Sequence, residues 1–285
     1  MTAPAFPPDP TSNETAAEFN LGSRPAGIAA LLSGNANVIM QLSHRPVAYG
    51  VMESRVEGGQ GKRHPIKRAR TTLSFLAVAI LGTDNDREYM RAEIDRQHRM
   101  VRSTTDSPVK YNAFDPQLQL WVAACLYWGA ADAITKICGP FTDAEAEAFY
   151  RLGARFGTTL QVRPGMWPPD RVTFEKYWAT GQDMIVVDDT AREWLYDLAT
   201  IGYLPLPIRA LFGPIVLFFT TGFLPPRFRR AMRLDWSDRQ QRRFERILHI
   251  IDLTTRPLPS VVKLFPFNLL LWDVRRRARH ALPIT

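Results

Sequence analysis

The pattern of apolar and polar positions along this chain is helical almost throughout. Apolar residues recur every three or four positions, no stretch alternates in the manner of a β-strand, and no internal repeat is visible. Helices are predicted over Gly27–Met40, over Val38–Met52 as a continuation past Pro46, and over Arg68–Leu81, Glu88–Val101, Leu118–Ile137, Ala146–Phe156, Thr173–Tyr177, Ala191–Ala199 and Ser237–Ile251. The predicted fold class is therefore all-α, with a single multi-helix domain.

Sequence signals for helix ends support these boundaries. Thr142–Glu145 and Ser237–Gln240 both have the capping-box pattern, in which a hydroxyl residue is followed three positions later by Glu or Gln. Thr83 or Asp84 is predicted to cap the charged helix that follows it. Gly82 is predicted to end the preceding helix at its C′ position.

Two apolar runs are long enough to raise the question of a membrane span. Residues 118–134 include a glutamine and an aspartate, and residues 206–224 include an arginine and a proline. A spanning helix needs about 20 residues with few charges, and both runs fall slightly short of that. Both are predicted to be buried core helices. Peripheral membrane contact through Phe218, Phe219, Phe223 and the arginines that follow is the alternative.

The domain organisation is expected to be simple. Residues 1–22 are rich in Pro, Ser, Asn and Glu and are expected to form a disordered lead-in to one helical domain over residues 23–285. The N-terminus lacks the basic and apolar regions of a signal peptide. Cys125 and Cys138 form neither a CxxC motif nor a zinc-ligand pattern. A reducing, cytoplasmic location is therefore expected.

The net charge of +8 raises the question of nucleic-acid binding. The basic residues, however, fall into separate clusters at positions 62–70, 227–230 and 275–279, each beside apolar sequence and without interleaved aromatic residues. Nucleic acid is therefore not an expected partner. The anionic groups of a small ligand, or a membrane surface, fit such scattered clusters better.

His98 is the residue whose environment bears most on function. Met90, Ile94, His98 and Val101 follow helical spacing, so the imidazole is predicted to project from the buried face of its helix. A buried imidazole needs a partner, which can be a carbonyl, a carboxylate or a metal. One histidine cannot hold zinc but suffices as an axial ligand of haem iron, although a hydrogen-bonded core histidine is the more common case. His44, before a proline at a helix end, is predicted to cap backbone carbonyls.

A haem pocket would also need an apolar slot, cations for the propionates and an opposite wall. Arg68 and Thr72 share one helix face at positions i and i+4. Trp121 lies on the apolar helix and is predicted to line the cofactor slot. For Arg68 the alternative is a solvated member of a basic run. For Thr72 it is a hydroxyl that bonds back to a carbonyl of its own helix.

An ordered series of motifs resembles the rubber oxygenase, or latex clearing protein, superfamily. That superfamily also contains the endoplasmic-reticulum-bound oxygenases of fungal meroterpenoid pathways. The motifs are Val38–Val51 (VIMQLSHRPVAYGV), Arg68–Thr72 (RARTT), Leu81–Thr83, His98, Tyr111–Pro116 (YNAFDP), Leu120–Val122, Gly222–Pro226 and Arg256–Pro259. The resemblance extends over Ser23–Arg279, which is nearly the whole chain.

The resemblance implies an all-helical fold that encloses a b-type haem between two helices. His98 would be the proximal iron ligand, and Arg68 and Thr72 would line the distal pocket. A carboxylate upstream of the arginine is a suspected base in rubber oxygenases, and Glu53 lies at about the corresponding distance. A surface carboxylate at a helix end is the alternative for Glu53.

Two positions depart from the superfamily pattern. Rubber oxygenases carry a lysine immediately before the distal threonine, and this chain has Thr71 there. Many relatives have a histidine after the Trp-Val pair, and this chain has Ala123. The roles of that lysine and that histidine therefore do not carry over.

The implied function is that of a haem b-dependent oxygenase. It would activate O₂ to cleave or rearrange a double bond or aromatic ring of a hydrophobic or aromatic small molecule, as in secondary-metabolite steps such as indole ring expansion. A haem-binding carrier or sensor is one alternative, which substrate-dependent O₂ consumption would exclude. A haem-free helical protein at a membrane surface is the other, and it would show no Soret absorption. The sequence carries no signal for an oligomeric state.

Overall fold

The computed structural model describes residues 19–54, 65–163, 165–280 and 282–283. Within those ranges the regular secondary structure comprises a 3-10 turn at Leu21–Ser23 and α-helices, with no β-strand. The helices are α1 (Ala26–Leu42), α2 (Arg45–Met52), α3 (Pro65–Leu81), α4 (Asp84–His98), α5 (Pro116–Cys138), α6 (Asp143–Thr158), α7 (Arg171–Asp183), α8 (Asp189–Ala199), α9 (Leu206–Phe223), α10 (Pro226–Ala231), α11 (Asp238–Thr255), α12 (Ser260–Lys263) and α13 (Phe267–Arg279). The predicted all-α class is confirmed.

The predicted continuation of α1 past Pro46 is wrong, because the helix breaks at Ser43 and His44. His44 has extended backbone angles, with φ −84° and ψ 115°, and precedes the first residue of α2. Pro46 then lies in the first turn of α2, where its missing N–H removes no helical hydrogen bond. The apolar pattern of the sequence continues across the break, so the pattern alone does not reveal that there are two helices.

The capping predictions are confirmed in three helices. Thr83, Thr142 and Ser237 each accept the backbone N–H three residues on, and the side chain at that position accepts the backbone N–H of the cap. Helix α3 ends immediately before Gly82, as predicted, but Gly82 does not have a positive φ. A Cβ at Gly82 would collide with the carbonyl oxygen of Val78, so close packing requires the glycine there.

The core is built around α5. This helix is buried along most of its length and packs mainly against α1 and α6. The prediction that residues 118–134 form a buried core helix is confirmed. Asp115 accepts backbone N–H groups of the first turn, and Pro116 is the first helical residue, so the helix has a well-defined start.

The two helices that carry Arg68, Thr72 and His98 are held by the C-terminal helix. Helix α13 packs along α3 and also contacts α4. Arg275 of α13 forms an ion pair with Asp86 of α4 at 2.8 Å. The relative position of α3 and α4 is therefore fixed by packing from a third element as well as by their own short connection.

Part of the predicted lead-in belongs to the packed domain. Phe19 and Leu21 are buried, and the Phe19 ring lies 5.2 Å from that of Phe149 between centroids. Residues 1–18 lie outside the described residues. The packed domain thus includes Phe19 and Leu21, within the predicted lead-in.

Helix α9 is only partly buried, so the expectation of a core helix over residues 206–224 is wrong for its first half. Leu206 and Leu211 are 66% and 65% exposed. Phe223 is buried, so the alternative of membrane contact through Phe223 is wrong as well. Among the helices in the described ranges, α9 is the one whose length and apolar composition would allow it to cross a membrane.

Candidate functional site

His98 is the last residue of α4, and its side chain faces the protein interior. Met90, two turns earlier on the same face, is buried, and His98 itself is half-buried. The imidazole packs edge-on against the ring of Phe114, with the ring centroids 6.2 Å apart. The helical spacing therefore predicted the direction of this side chain correctly.

One nitrogen of His98 has a fixed partner. The Nδ1 atom lies 3.0 Å from Oε1 of Gln161. The amide nitrogen of Gln161 donates to the Asp95 carboxylate, which can only accept, so the amide oxygen must face His98. Nδ1 therefore carries the proton and donates to Gln161. The lone pair of the neutral ring is on Nε2, for which the described residues provide no partner.

Gln161 is itself held in place by Gln119, near the start of α5. The backbone N–H of Gln161 donates to Oε1 of Gln119 at 2.5 Å. The Gln119 amide nitrogen donates to the carbonyl of Ala113 and to Oε1 of Gln161. Sequence reasoning missed both glutamines. The one available signal was Gln119, a polar residue in an otherwise apolar helix that the structure shows to be buried.

The surroundings of His98 favour its neutral form. Burial is the largest effect and lowers the pKa of His98 below its usual value of 6.5, and the positive charge of Arg68 lowers it further. The hydrogen bond to Gln161 and the charge of Asp95 act in the opposite direction but do not cancel these effects. A neutral imidazole with a free Nε2 is the form that binds a metal.

Arg68 of α3 lies close enough to His98 for its charge to affect that pKa. Burial lowers the pKa of Arg68, yet the side chain is only half-buried. Arg68 has no carboxylate partner among the described residues, so its charge is available to an anionic ligand.

Thr71 and Thr72, adjacent on α3, have different environments. The Thr71 hydroxyl donates to the carbonyl of Lys67 at 2.9 Å, which is the back-bonding that we considered as the alternative for Thr72. Thr72 is half-buried, and its hydroxyl has no hydrogen-bond partner in the part of the chain that the structure describes. Thr72 therefore remains free to bind a ligand one turn after Arg68.

Trp121 lies in a different part of the core. Its indole stacks on the imidazole of His44 at 4.1 Å and on Trp178 at 5.3 Å, and its N–H donates to the carbonyl of Gln41. His44 in turn donates from Nε2 to the carbonyl of Gly181 at 3.2 Å. Trp121 is thus packed against two aromatic rings, and no described contact joins it to His98. Its role in cofactor binding stays a prediction, and these contacts favour a packing role.

Glu53 lies at the end of α2 and is exposed. Its Oε2 atom accepts hydrogen bonds from Ser107 at 2.6 Å and from Tyr111 at 2.7 Å. These contacts tie Glu53 to the segment after α4. No described contact brings it to Arg68 or Thr72, so its role as a base stays a prediction.

The described residues contain no group of three or more His, Cys, Asp or Glu side chains that could hold a metal ion by themselves. His98 offers a single nitrogen, which is what an iron already held by four porphyrin nitrogens requires from the protein. The donor set around His98 is therefore suited to one axial bond.

Comparisons with known proteins agree with the motifs. The family model described as "ER-bound oxygenase mpaB/B'/Rubber oxygenase, catalytic domain" matches residues 25–253. An uncharacterized protein of Mycobacterium bovis and one of Mycobacterium tuberculosis are each 54% identical to the chain over 245 residues, which is 86% of this chain and 96% of each relative. No solved structure matches.

Proposed function

The chain belongs to the ER-bound oxygenase and rubber oxygenase catalytic-domain family, and from that premise we propose that it is a haem b-dependent oxygenase. An oxygenase domain implies O₂ and an organic substrate as partners. The observation that carries the proposal is the state of His98. Its Nδ1–H is held by Gln161, and its Nε2 has no partner in the described residues.

The residues around His98 fit a haem. His98 supplies a neutral nitrogen, Arg68 supplies a cation without a carboxylate partner in the described residues, and Thr72 supplies a hydroxyl without a hydrogen bond there. All three lie on the neighbouring helices α3 and α4. Unpaired polar groups inside a protein are costly, so such a set is expected where a ligand completes the bonding.

When bound, haem b would supply the iron that activates dioxygen. In this proposal His98 would hold the haem iron through Nε2. Gln161 fixes the tautomer of the imidazole. The hydrogen bond that Nδ1–H donates to it raises the basicity of Nε2 and so makes Nε2 a stronger metal ligand. Arg68 and Thr72 provide N–H and O–H donors that orient the substrate and stabilise negative charge as it develops.

The proposed substrate is a hydrophobic or aromatic small molecule with a double bond or ring to be cleaved or rearranged. Where rubber oxygenases carry a lysine, this chain has Thr71, whose hydroxyl bonds to its own helix. That side chain therefore does not take the place of the lysine. A biosynthetic step such as indole ring expansion is the context that we propose for the reaction. We also propose a cytoplasmic location.

The test is the absorption spectrum of the purified protein beside two histidine variants. Wild type is expected to show a Soret band, and His98→Ala is expected to lose it or to regain a shifted band with added imidazole. His44→Ala is the matched control, because it removes the other histidine that faces the interior and should keep the wild-type band. Identical spectra for wild type and His98→Ala would contradict the assignment of the ligand.

Haem binding without O₂ consumption across hydrophobic and indole substrates would favour a carrier or sensor.

A further inference from the structure

Helix α9 carries one long apolar stripe. Its members recur at spacings of three and four residues, so they share one face of the helix. They are Ile208, Leu211, Phe212, Ile215, Phe218, Phe219 and Gly222. Such a stripe is the face that a helix of a folded protein normally buries.

The second half of the stripe is covered by the start of α11. Phe244 of α11 lies 6.1 Å from Phe218 and 6.3 Å from Phe219 between ring centroids. A Cβ on Gly222 would come within 2.5 Å of the Phe244 ring, so the two helices are in close contact there. Trp236, just before α11, also packs on Phe218 at 5.3 Å.

The first half of the same stripe is uncovered. Ile208, Leu211, Phe212 and Ile215 are 43%, 65%, 49% and 51% exposed. Gly213, on the opposite side of the helix, is buried, and a Cβ there would lie 2.9 Å from the carbonyl oxygen of Thr200. The protein-facing side of this half is therefore fixed, and the apolar side points outward.

Helix α11, which covers the second half of the stripe, carries several exposed arginines. Five exposed arginines on α9 and α11 form no ion pair with any described residue, whereas Arg45, Arg275 and other arginines elsewhere in the chain do. The five are Arg209, Arg239, Arg242, Arg243 and Arg246. Arg243 lies directly over the ring of Phe218 at 5.4 Å. The exposed acids of α11 are Asp238 and Glu245, so arginines outnumber carboxylates on this helix.

We infer that this face docks onto an anionic phospholipid bilayer. The four exposed side chains of the stripe would enter the boundary between headgroups and acyl chains, and the unpaired arginines would contact lipid phosphates. An exposed apolar helix face flanked by cations is the signature of an interfacial helix. A full span is disfavoured because the end of α9 at Phe223 is buried against the protein. The inference rests on the fold and is independent of the proposed oxygenase activity.

The experiment is co-sedimentation of the full chain with vesicles of phosphatidylcholine alone or mixed with phosphatidylglycerol. We expect binding to the anionic vesicles at low salt. Binding to the neutral vesicles, or to the anionic vesicles at 0.5 M NaCl, should be weaker by about tenfold or more. Leu211→Glu/Phe212→Glu is expected to weaken binding by about a hundredfold. Arg243→Gln/Arg246→Gln should weaken binding to anionic vesicles only.

Val172→Glu/Met184→Glu is the matched control. These residues are 67% and 55% exposed at the two ends of α7, so the change adds the same charge at equally exposed apolar positions. Vesicle binding should not change. All variants alter exposed side chains and should keep the wild-type helical circular dichroism, so a loss of binding is not a loss of fold.

Three results would overturn the inference. The first is unchanged binding of the Leu211→Glu/Phe212→Glu variant. The second is a wild-type dimer that this variant dissociates while vesicles have no effect, which would make the face a self-association surface. The third is retention in vesicles after washing with salt and alkaline carbonate, which would indicate a spanning helix.

Discussion

His44 and His98 both face the protein interior, but their imidazole rings have different surroundings. The ring of His44 is stacked on Trp121, and its Nε2 donates to the carbonyl of Gly181. The ring of His98 donates from Nδ1 to Gln161 and lies close enough to Arg68 for that positive charge to lower its pKa. Burial lowers the pKa of both. Each ring has one nitrogen with a partner among the described residues, so neither burial nor a free nitrogen alone marks a functional histidine. The two sites differ in their surroundings, because His44 is stacked on a tryptophan whereas His98 lies near the charge of Arg68.

The largest expected effect tests whether the His44 region is purely structural. Trp121 is 1% exposed in a stack with His44 and Trp178. Trp121→Ala is expected to lower the free energy of unfolding by about 3–5 kcal/mol, because it leaves a cavity that the stack cannot close. Urea unfolding measures the change. Trp272→Ala, at a tryptophan that is 55% exposed, should cost much less. A Trp121→Ala protein of full stability that loses its Soret band would contradict the separation of the two regions.

The next effect tests whether Gln161 positions His98. Gln161→Leu removes the acceptor of the Nδ1 proton, and haem affinity is expected to fall about 10- to 100-fold. Haemin titration measures the affinity, and a shift of the Soret band would show that the axial bond has changed.

Gln41→Leu is the control for Gln161→Leu. Gln41 is a half-buried glutamine whose amide donates to Asn37 at 2.7 Å, in the region of the His44 stack. Its loss should leave haem affinity unchanged. Equal losses of affinity in both variants would show that the effect of Gln161→Leu is general destabilisation.

A smaller effect separates the two adjacent threonines. Thr72→Val is expected to lower kcat/KM about tenfold or more, because it removes a donor that is available to the substrate. Thr71→Val removes a hydroxyl that bonds to the carbonyl of Lys67 and should change kcat/KM little. Steady-state O₂ consumption measures both. A larger loss with Thr71→Val would reverse the assignment.

The smallest effect is a pH dependence that both histidines share. Their pKa values in the folded protein lie below the usual 6.5, so the unfolded chain takes up more protons as the pH falls through that value. The free energy of unfolding should therefore fall between pH 7.5 and 5.5, by at most about 1.4 kcal/mol per pH unit for each histidine. Urea unfolding at both pH values measures this. His44→Gln should remove its share of the dependence, and a rise in stability on acidification would contradict the burial of both groups.

The predictions from sequence agree best with the structure where a feature depends on residues that are close together in the chain. The capping boxes at Thr142 and Ser237 appear where the pattern predicted them, since a cap involves residues only three positions apart. The inward direction of His98 was predictable for the same reason. The motif resemblance identified the family, which the match over residues 25–253 shows.

Prediction from sequence fails where the environment of a side chain depends on residues that are distant along the chain. The partner of His98 is 63 positions away, and no periodicity indicates it. Trp121 and Arg68 had comparable support as cofactor-site residues, but only the fold shows one stacked on His44 and the other close to His98. The apolar runs of α5 and α9 also looked alike, although one is buried and the other is half exposed.

The sequence by itself determined the helical class, the N-caps at Thr83, Thr142 and Ser237, the family and the inward face that bears His98. These depend on spacing within one helix or on ordered motifs, both of which are properties of neighbouring residues. Only the tertiary structure decided that Gln161 leaves Nε2 of His98 free, that Trp121 belongs to the His44 stack, and that the first half of α9 remains uncovered. Hydrogen-bond partners and the covering of a helix face depend on segments that meet only after folding.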